Sequence, residues 1–134
     1  MEKMEQTLYE FDVLVVEDHD SNLDVTVKML ERLGCRVDQA KDGHQALEAV
    51  GRTKFDIIFM DCQLPVMDGY EATRRIRERE AKGGEHTNII AITADAMQYQ
   101  VEKCKNAGMD DCLFKPISYQ DYERMLDLYG KNLS

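Results

Sequence analysis

The chain has 134 residues, of which 43% are apolar and 32% charged, and it carries a net charge of -9 at pH 7. This length and composition suit one globular domain with a single core, and they argue against a disordered chain. The negative charge argues against a sequence-independent nucleic-acid binder and against docking on an anionic membrane, and no apolar run approaches the roughly 20 residues that span a bilayer.

Five apolar segments alternate with five amphipathic ones, which predicts five β-strands that are each followed by an α-helix. The strands are predicted at residues 12–16, 35–40, 55–61, 88–94 and 112–115. The helices are predicted at residues 22–33, 42–51, 70–80 and 96–107, with a last one after residue 118. Residues 1–10 are predicted to be a flexible leader, residues 11–129 a single domain and residues 130–134 a short tail.

Residue types that favour helix ends mark several of these boundaries. Asp20 or Ser21 is expected to cap the first helix, and Gly34 to end it. The segments that begin at Asp42 and Ser118 each have the spacing of a capping box. Arginines and glutamates alternate in the third helix, which predicts a solvated, salt-bridged surface rather than a phosphate cradle. These arginines are Arg74, Arg75, Arg77 and Arg79.

The central strand contains four large apolar residues in a row, 57–60, which indicates burial on both faces of a parallel sheet. Asp61 ends this strand, and an isolated Asp there would most simply be a turn residue. Three other strands also end on polar residues, however: Glu17 with Asp18, Thr93 and Lys115. Because alternating strands and helices form a parallel sheet, these strand ends are expected to meet at one edge.

Three carboxylates at one sheet edge would repel one another, so a cation is expected among them. Mg²⁺ suits such a site because hard divalent ions take oxygen ligands. The histidines His19, His44 and His86 are scattered and predicted to be exposed, which offers zinc no cluster, although His19 follows Asp18 and is a candidate for the rim of the site. Mg²⁺ beside a carboxylate, a hydroxyl and an ammonium group is typical of sites that carry out phosphoryl transfer.

The four cysteines, Cys35, Cys62, Cys104 and Cys112, lie far apart in the sequence and lack Cys-x-x-Cys spacing. They are predicted to be buried free thiols, which indicates a reducing, cytoplasmic compartment. The first six residues do not resemble a secretory signal.

Four motifs together resemble the receiver domain of two-component response regulators, over residues 11–129. They are Val-Leu-Val-Val-Glu17-Asp18, Met-Asp61-Cys-Gln-Leu-Pro-Val-Met-Asp-Gly69, Ile-Ile-Ala-Ile-Thr93-Ala94 and Phe-Lys115-Pro116. The resemblance implies a flavodoxin-like (βα)5 fold, a doubly wound parallel sheet of five strands in the order 2-1-3-4-5. It also implies a cis peptide bond between Lys115 and Pro116.

The resemblance assigns a role to each candidate site residue. Asp61 would be the phosphoacceptor, and Glu17 and Asp18 would hold Mg²⁺, directly or through water, with Mn²⁺ as a possible substitute. The backbone carbonyl of Gln63 would complete the protein ligands, together with the carboxylate of the phosphoacceptor. Thr93 would be the switch hydroxyl, and Lys115 would pair with a phosphoryl oxygen.

One position departs from the family pattern. Receivers usually carry Tyr or Phe three residues before the lysine, and Cys112 stands there instead. A small thiol cannot rotate a ring between buried and exposed positions, so the aromatic half of the switch is in doubt. Tyr99 and Phe114 are the candidates to replace it.

The motif around Asp61, with Asn22 in the first helix, resembles receivers fused to hybrid sensor histidine kinases. The resemblance implies a sensor histidine kinase or a histidine phosphotransfer domain as partner, and a cytoplasmic location, either alone or as the cytoplasmic part of a membrane-anchored hybrid kinase. The domain itself is expected to contact no nucleic acid, to enter no membrane and not to act as a conventional enzyme.

Two alternative functions are compatible with parts of this pattern. An aspartyl-phosphate phosphatase of the haloacid-dehalogenase type would carry a second Asp two residues after the first, and here Gln63 occupies that position. A degenerate receiver that only binds a partner is favoured by Cys112 alone, because every acidic, Thr and Lys position is present.

Overall fold

The fold is seen in a computed structural model that describes residues 8–130. Strands and helices alternate along the chain as β1 (Asp12–Val16), α1 (Asp20–Arg32), β2 (Arg36–Ala40), α2 (Gly43–Arg52), β3 (Ile57–Asp61), α3 (Gly69–Ala81), β4 (Asn88–Thr93), α4 (Gln98–Ala107), β5 (Asp111–Phe114) and α5 (Tyr119–Met125). A π-helical turn, Leu126–Gly130, continues α5.

All five strands are parallel and lie in the order β2-β1-β3-β4-β5, which confirms the predicted doubly wound sheet. Neighbouring β1 and β3 are in register from Val13 opposite Ile57 to Val16 opposite Met60. The chain winds away from β1 in one direction to β2 and in the other direction to β3. Ligands of open α/β sheets bind at this reversal, outside the carboxyl ends of the strands.

The sheet has a hydrophobic core on each face, and every residue of β3 is buried between them. Alternate residues point to opposite faces, so Ile58 and Met60 pack beneath α2, α3 and α4, while Ile57 and Phe59 pack with residues of α1 and α5. Phe59 meets Tyr122 of α5 edge to face, with ring centroids 5.1 Å apart. This packing fixes the strand that ends in Asp61.

Of the three N-caps predicted, those of α2 and α5 are confirmed. Asp42 accepts a hydrogen bond from the Gln45 amide, and Ser118 forms a complete capping box with Asp121. The prediction for α1 is wrong, because the N-cap is His19 and its side chain makes no capping hydrogen bond. The His19 amide donates a hydrogen bond to the Glu17 carboxylate instead, and the His19 ring also contacts this carboxylate. The helix begins at Asp20, which is earlier than its apolar periodicity indicated.

Arg77 contradicts the prediction that the α3 arginines form a solvated surface. Its side chain is only 18% exposed, and it reaches across to the loop after α4 and to the start of β4. The three other arginines are exposed as predicted. Arg77 lies four residues after Thr73, which is fully buried, so helical spacing places both on the same side of α3.

The cysteine prediction holds for three of the four residues. All four carry free thiols and all lie within residues 8–130, but Cys112 is only half buried. The predicted leader differs in its last part, because the Tyr9 ring is buried and its hydroxyl donates to Asp127. Residues 1–7 of the leader and residues 131–134 of the tail lie outside the described residues. No helix within residues 8–130 has the length and apolar character needed to cross a bilayer.

Candidate functional site

The predicted site residues do meet at one edge of the sheet. Asp61 and Thr93 are the last residues of β3 and β4, Glu17 follows β1 directly, and Lys115 follows β5 directly. The Lys115 amide donates to the Thr93 carbonyl at 2.8 Å, which holds the last two strand ends together. Asp61, Glu17 and Thr93 are each less than 7% exposed, so the fold buries polar groups that it does not need for its core.

Asp61 is the centre of the cluster. Its Oδ1 atom accepts a hydrogen bond from the Gln63 amide at 2.9 Å, and its Oδ2 atom accepts one from Lys115 Nζ at 3.1 Å. The same ammonium group lies 3.7 Å from Glu17 Oε1. Lys115 therefore lies between two carboxylates that come from different strands, and it is a third exposed to solvent.

Glu17, Asp18 and His19 form the acidic rim of the site. One ligand atom from each lies within 4.8 Å of the others. The His19 ring nitrogen Nδ1 is 3.2 Å from Glu17 Oε2 and 3.3 Å from Asp18 Oδ1. The role foreseen for His19 at the rim is thus confirmed, and its ring is exposed as predicted. Asp61 does not belong to this group of three close residues. It is linked to Glu17 through Lys115, which contacts both carboxylates.

The charges of the cluster shift one another's ionisation. Burial raises the pKa of Asp61 above its ordinary value, and the Glu17 carboxylate adds to that effect. Burial opposes the charge of Lys115, but the carboxylates of Asp61 and Glu17 outweigh it and raise the pKa of the ammonium group. Burial also acts against ionisation of Glu17, yet the His19 amide and Lys115 keep the pKa of this carboxyl below its ordinary value. The site thus favours a cation among its carboxylates.

One carboxylate oxygen at this edge makes no hydrogen bond, although the His19 ring nitrogen lies 3.3 Å from it. Asp18 Oδ1 is buried and accepts no hydrogen bond from the residues that the structure describes. A buried charged oxygen without a partner is costly unless a cation or water binds it. The donor set is all oxygen apart from His19, and Mg²⁺ prefers such a set. The residues present therefore fit a divalent cation held by Glu17, Asp18 and Asp61.

Thr93 and Gln63 flank the phosphoacceptor candidate. The buried Thr93 Oγ1 accepts a hydrogen bond from the Asp95 amide at 3.1 Å, which leaves its hydroxyl proton free to be donated to a ligand. Gln63 has an exposed side chain, and its amide is already bonded to Asp61. The sequence-based roles of both residues are compatible with these positions.

The loop between β3 and α3 approaches Asp61 closely. A Cβ atom on Gly69 would lie 2.2 Å from the Asp61 carbonyl oxygen, so only glycine fits there. Earlier in this loop, Val66 has φ 66 and is 89% exposed, and the Met67 amide bonds the Pro65 carbonyl across it. A β-branched residue at positive φ is strained. This strain was not predictable from the residue types, because Pro and Gly in the loop indicated only a turn.

A cavity beside the site was also not predicted. It has a volume of about 430 Å³ and lies between α1 and the start of α5, with Lys115 and Glu17 in its wall. The apolar part of the wall includes Val25, which is 53% exposed, and the half-buried Met29. An exposed valine on the outward side of α1 was the available signal, but single exposed apolar residues are common.

Cys112 occupies the position at which receivers usually carry Tyr or Phe. Cys112 packs against the core beneath α4, Tyr99 is exposed with its hydroxyl bonded to Asp95, and Phe114 is 39% exposed. The peptide bond between Lys115 and Pro116 is cis, as the resemblance implied.

Comparison with known proteins identifies relatives over most of the chain. A family model described as the response regulator receiver domain matches residues 13–127. The hybrid signal transduction histidine kinase L of Dictyostelium discoideum is 41% identical over 124 residues, which is 90% of this chain and 7% of that protein. The virulence sensor protein BvgS of Bordetella pertussis is 41% identical over 118 residues, 86% of this chain and 10% of that protein. The chain thus spans about a tenth or less of these two relatives.

Solved structures agree with this match. The receiver domain of sensor histidine kinase PA1611 from Pseudomonas aeruginosa, solved with a magnesium ion in its active site cleft, has a TM-score of 0.82 and 44% identity over 90% of this chain and 98% of that one. The receiver domain of the Saccharomyces cerevisiae regulator Ssk1, solved with the histidine phosphotransfer protein Ypd1, belongs to a match with a TM-score of 0.87 and 29% identity, over 92% of this chain and 91% of that one.

Proposed function

Because this chain belongs to the family of response regulator receiver domains and functions in two-component phosphorelay signalling, we propose that Asp61 is its phosphoacceptor. The observation that carries this assignment is the position of Asp61, a buried carboxylate at the end of the central strand that is bonded to Lys115 and faces Glu17 and Asp18. The phosphoryl group would come from a phosphohistidine, whose N–P bond breaks as a carboxylate oxygen of Asp61 forms the new O–P bond.

The surrounding residues prepare this transfer. Lys115 Nζ is 3.1 Å from Asp61 Oδ2, so its charge is in reach of an oxygen on a phosphoryl group attached there. The Thr93 hydroxyl is free to donate to another phosphoryl oxygen, and the small Ala94 beside it leaves the approach open. Charge on the transferred group is dispersed over its equatorial oxygens, which is where such contacts act.

Glu17, Asp18 and Asp61 would hold Mg²⁺, with the Gln63 carbonyl as a further ligand. The absence of a hydrogen bond to the buried Asp18 Oδ1 among residues 8–130 and the magnesium-bound receiver of PA1611 support this assignment. Mg²⁺ supplies charge neutralisation at the phosphoryl oxygens when it is bound. Mn²⁺ is expected to substitute because it accepts the same oxygen ligands.

The decisive experiment is labelling by a small phosphodonor. The protein is incubated with acetyl phosphate and Mg²⁺, and intact-mass spectrometry counts the phosphoryl groups added. We expect one group on the wild type and on Asp38→Asn, which removes an exposed carboxylate of β2, and none on Asp61→Asn. Undiminished labelling of Asp61→Asn would overturn the assignment. If the wild type takes no phosphoryl group, with or without Mg²⁺, the domain acts as a binding module only.

The phosphodonor protein would be a sensor histidine kinase or a histidine phosphotransfer domain that docks over the cavity beside α1. The complex of the Ssk1 receiver with Ypd1 supports this class of partner. Val25 is exposed in the wall of the cavity, and Lys115 lines the same cavity. The domain would thus work in the cytoplasm, where histidine kinases present their phosphohistidines.

A docking test uses two exposed apolar residues of similar size. Val25→Asp should slow transfer from a phosphorylated histidine phosphotransfer domain at least tenfold, while labelling by acetyl phosphate stays unchanged. Leu128→Asp changes an exposed residue in the turn that follows α5 and should leave both rates unchanged. Equal transfer rates for the three proteins would remove this docking surface.

A further inference from the structure

Three of the four thiols lie on the side of the sheet covered by α3 and α4. Cys62 follows Asp61 at the end of β3, Cys104 lies on α4, and Cys112 lies on β5. The sulfur atoms of Cys62 and Cys104 are 3.8 Å apart, and each residue is 1% exposed. The fourth thiol, Cys35, is buried on the opposite side of the sheet and provides an internal control.

A cavity gives small molecules a route to Cys104. It has a volume of about 220 Å³, and Cys104 and Cys112 line it together with Val101. Lys105 and Phe114, which also line it, are exposed, so the cavity reaches the surface. A molecule the size of hydrogen peroxide fits in this volume.

Cys104 is the thiol of the contacting pair that lines this cavity, whereas Cys62 does not line it. The neighbouring thiols of Cys112 and Cys62 lower the pKa of the Cys104 thiol, and the Tyr70 hydroxyl and Lys103 act in the same direction. The thiolate is the form that attacks oxidants. Cys62, in contact with this sulfur, is the thiol placed to react next.

We propose that Cys62 and Cys104 form a peroxide-responsive dithiol, which closes reversibly to a disulfide between the end of β3 and α4. This modification site is distinct from the phosphorylation chemistry and does not depend on it. The two sulfur atoms must approach from 3.8 Å to about 2.05 Å. The first turn of α4 has no side-chain cap, which makes a small shift of this helix inexpensive.

The reaction balances with peroxide as the only oxidant. The Cys104 thiolate attacks one peroxide oxygen, the O–O bond breaks, and Cys104 becomes a sulfenic acid while the released hydroxide is protonated to water. The Cys62 sulfur then attacks the Cys104 sulfur, an S–S bond forms, and the departing hydroxide takes the Cys62 proton as a second water. Two thiols are oxidised and one peroxide is reduced.

Mass spectrometry of the native full chain tests the proposal directly. Peroxide should remove two hydrogens from the intact mass and two of the four titratable thiols, and a reductant should restore both. Peptide mapping without reduction should recover Cys62 linked to Cys104. Cys35→Ala should react as the wild type does, whereas Cys62→Ala should stop at a Cys104 sulfenic acid that dimedone traps.

A second measurement is independent of any variant. Hydrogen exchange of the α4 amides should slow at least threefold in the oxidised protein, because the disulfide ties this helix to the sheet. A Cys104–Cys112 link, a disulfide between two chains, or an unchanged mass under peroxide that oxidises the urea-unfolded chain would each overturn the proposal.

Discussion

The two ends of the sheet each bury a cluster of charges, but the clusters are satisfied to very different degrees. At the end opposite the phosphorylation site, Arg77 makes four hydrogen bonds, and every one is between 2.7 and 2.9 Å. Its carboxylate partners are also bonded by backbone amides: Glu80 by Thr87, and Asp110 by Ile89. At the acidic edge, Lys115 Nζ is 3.1 Å from Asp61 but 3.7 Å from Glu17, and Asp18 Oδ1 makes no hydrogen bond with residues 8–130.

This difference separates a structural network from a chemical site. The Arg77 network joins α3 to the start of β4 and to the loop before β5, and four of the five guanidinium N–H groups are bonded within the protein. The acidic edge keeps a buried carboxylate oxygen without a hydrogen bond, and a fold selected for stability alone would supply one. A buried polar network that is fully bonded specifies one arrangement, whereas a partly bonded one needs an added ion.

The largest expected effect comes from breaking the satisfied network. Arg77→Met keeps most of the apolar stem but leaves Glu80 and Asp110, which are 15% and 20% exposed, without the guanidinium that bonds both, beside the exposed His86 ring. The free energy of unfolding should fall by about 3 kcal/mol, the scale on which one partner of a buried ion pair matters. Urea unfolding followed by circular dichroism measures this change.

The matched control lies two residues earlier on the same helix. Arg75 is exposed and pairs with Glu71 at the i,i+4 spacing, so Arg75→Met should cost less than about 0.5 kcal/mol. Equal losses for the two variants would show that Arg77 contributes no more than a surface pair. Labelling of Asp61 by acetyl phosphate should persist in folded Arg77→Met, because the network lies at the other end of the sheet.

The next effect tests the unsatisfied end. Mg²⁺ at about ten times its Kd should raise the free energy of unfolding by about 1.4 kcal/mol, because it binds only the folded carboxylate cluster. Asp18→Asn should abolish this gain without lowering stability in EDTA at a pH where His19 is neutral, because the Asp18 Oδ1 atom makes no hydrogen bond.

Asp38→Asn serves as the control for this charge change, since Asp38 is exposed on the edge strand β2. It should keep the full response to Mg²⁺. A persistent response in Asp18→Asn would mean that the ion binds elsewhere, and a large loss of stability in EDTA would mean that Asp18 already has a structural role.

Much of the acidic edge was predictable because it depends on backbone order. The carboxyl ends of parallel strands lie at one edge, so the residues at these ends, Glu17, Asp61 and Lys115, had to converge whatever the packing between them. The central position of β3 followed from the apolar run at residues 57–60, whereas the strand order came from the resemblance to receiver domains. Motifs tied to strand ends therefore carry structural information over long sequence distances.

The Arg77 network and the Cys62–Cys104 contact were not predictable for the opposite reason. Both depend on how far each helix is rotated and how deeply it lies, and helical periodicity determines that only to within one side chain. The arginine is one of four in a charged segment, and its sequence neighbours do not distinguish it. Likewise, the two thiols are 42 residues apart, and only the packing of α4 on the sheet brings them into contact.

The smallest expected effect concerns backbone strain in the loop that follows Asp61. Val66 is at φ 66 in a three-residue turn closed by the hydrogen bond from the Met67 amide to the Pro65 carbonyl, a strained conformation for a β-branched residue. Val66→Asn should raise the free energy of unfolding by about 0.5 to 1 kcal/mol, because asparagine tolerates positive φ far better. Val25→Asn, at an exposed helical position, should change it little because the two residues have similar helix propensities. If Val66→Asn is no more stable than the wild type in urea, this turn holds no strain.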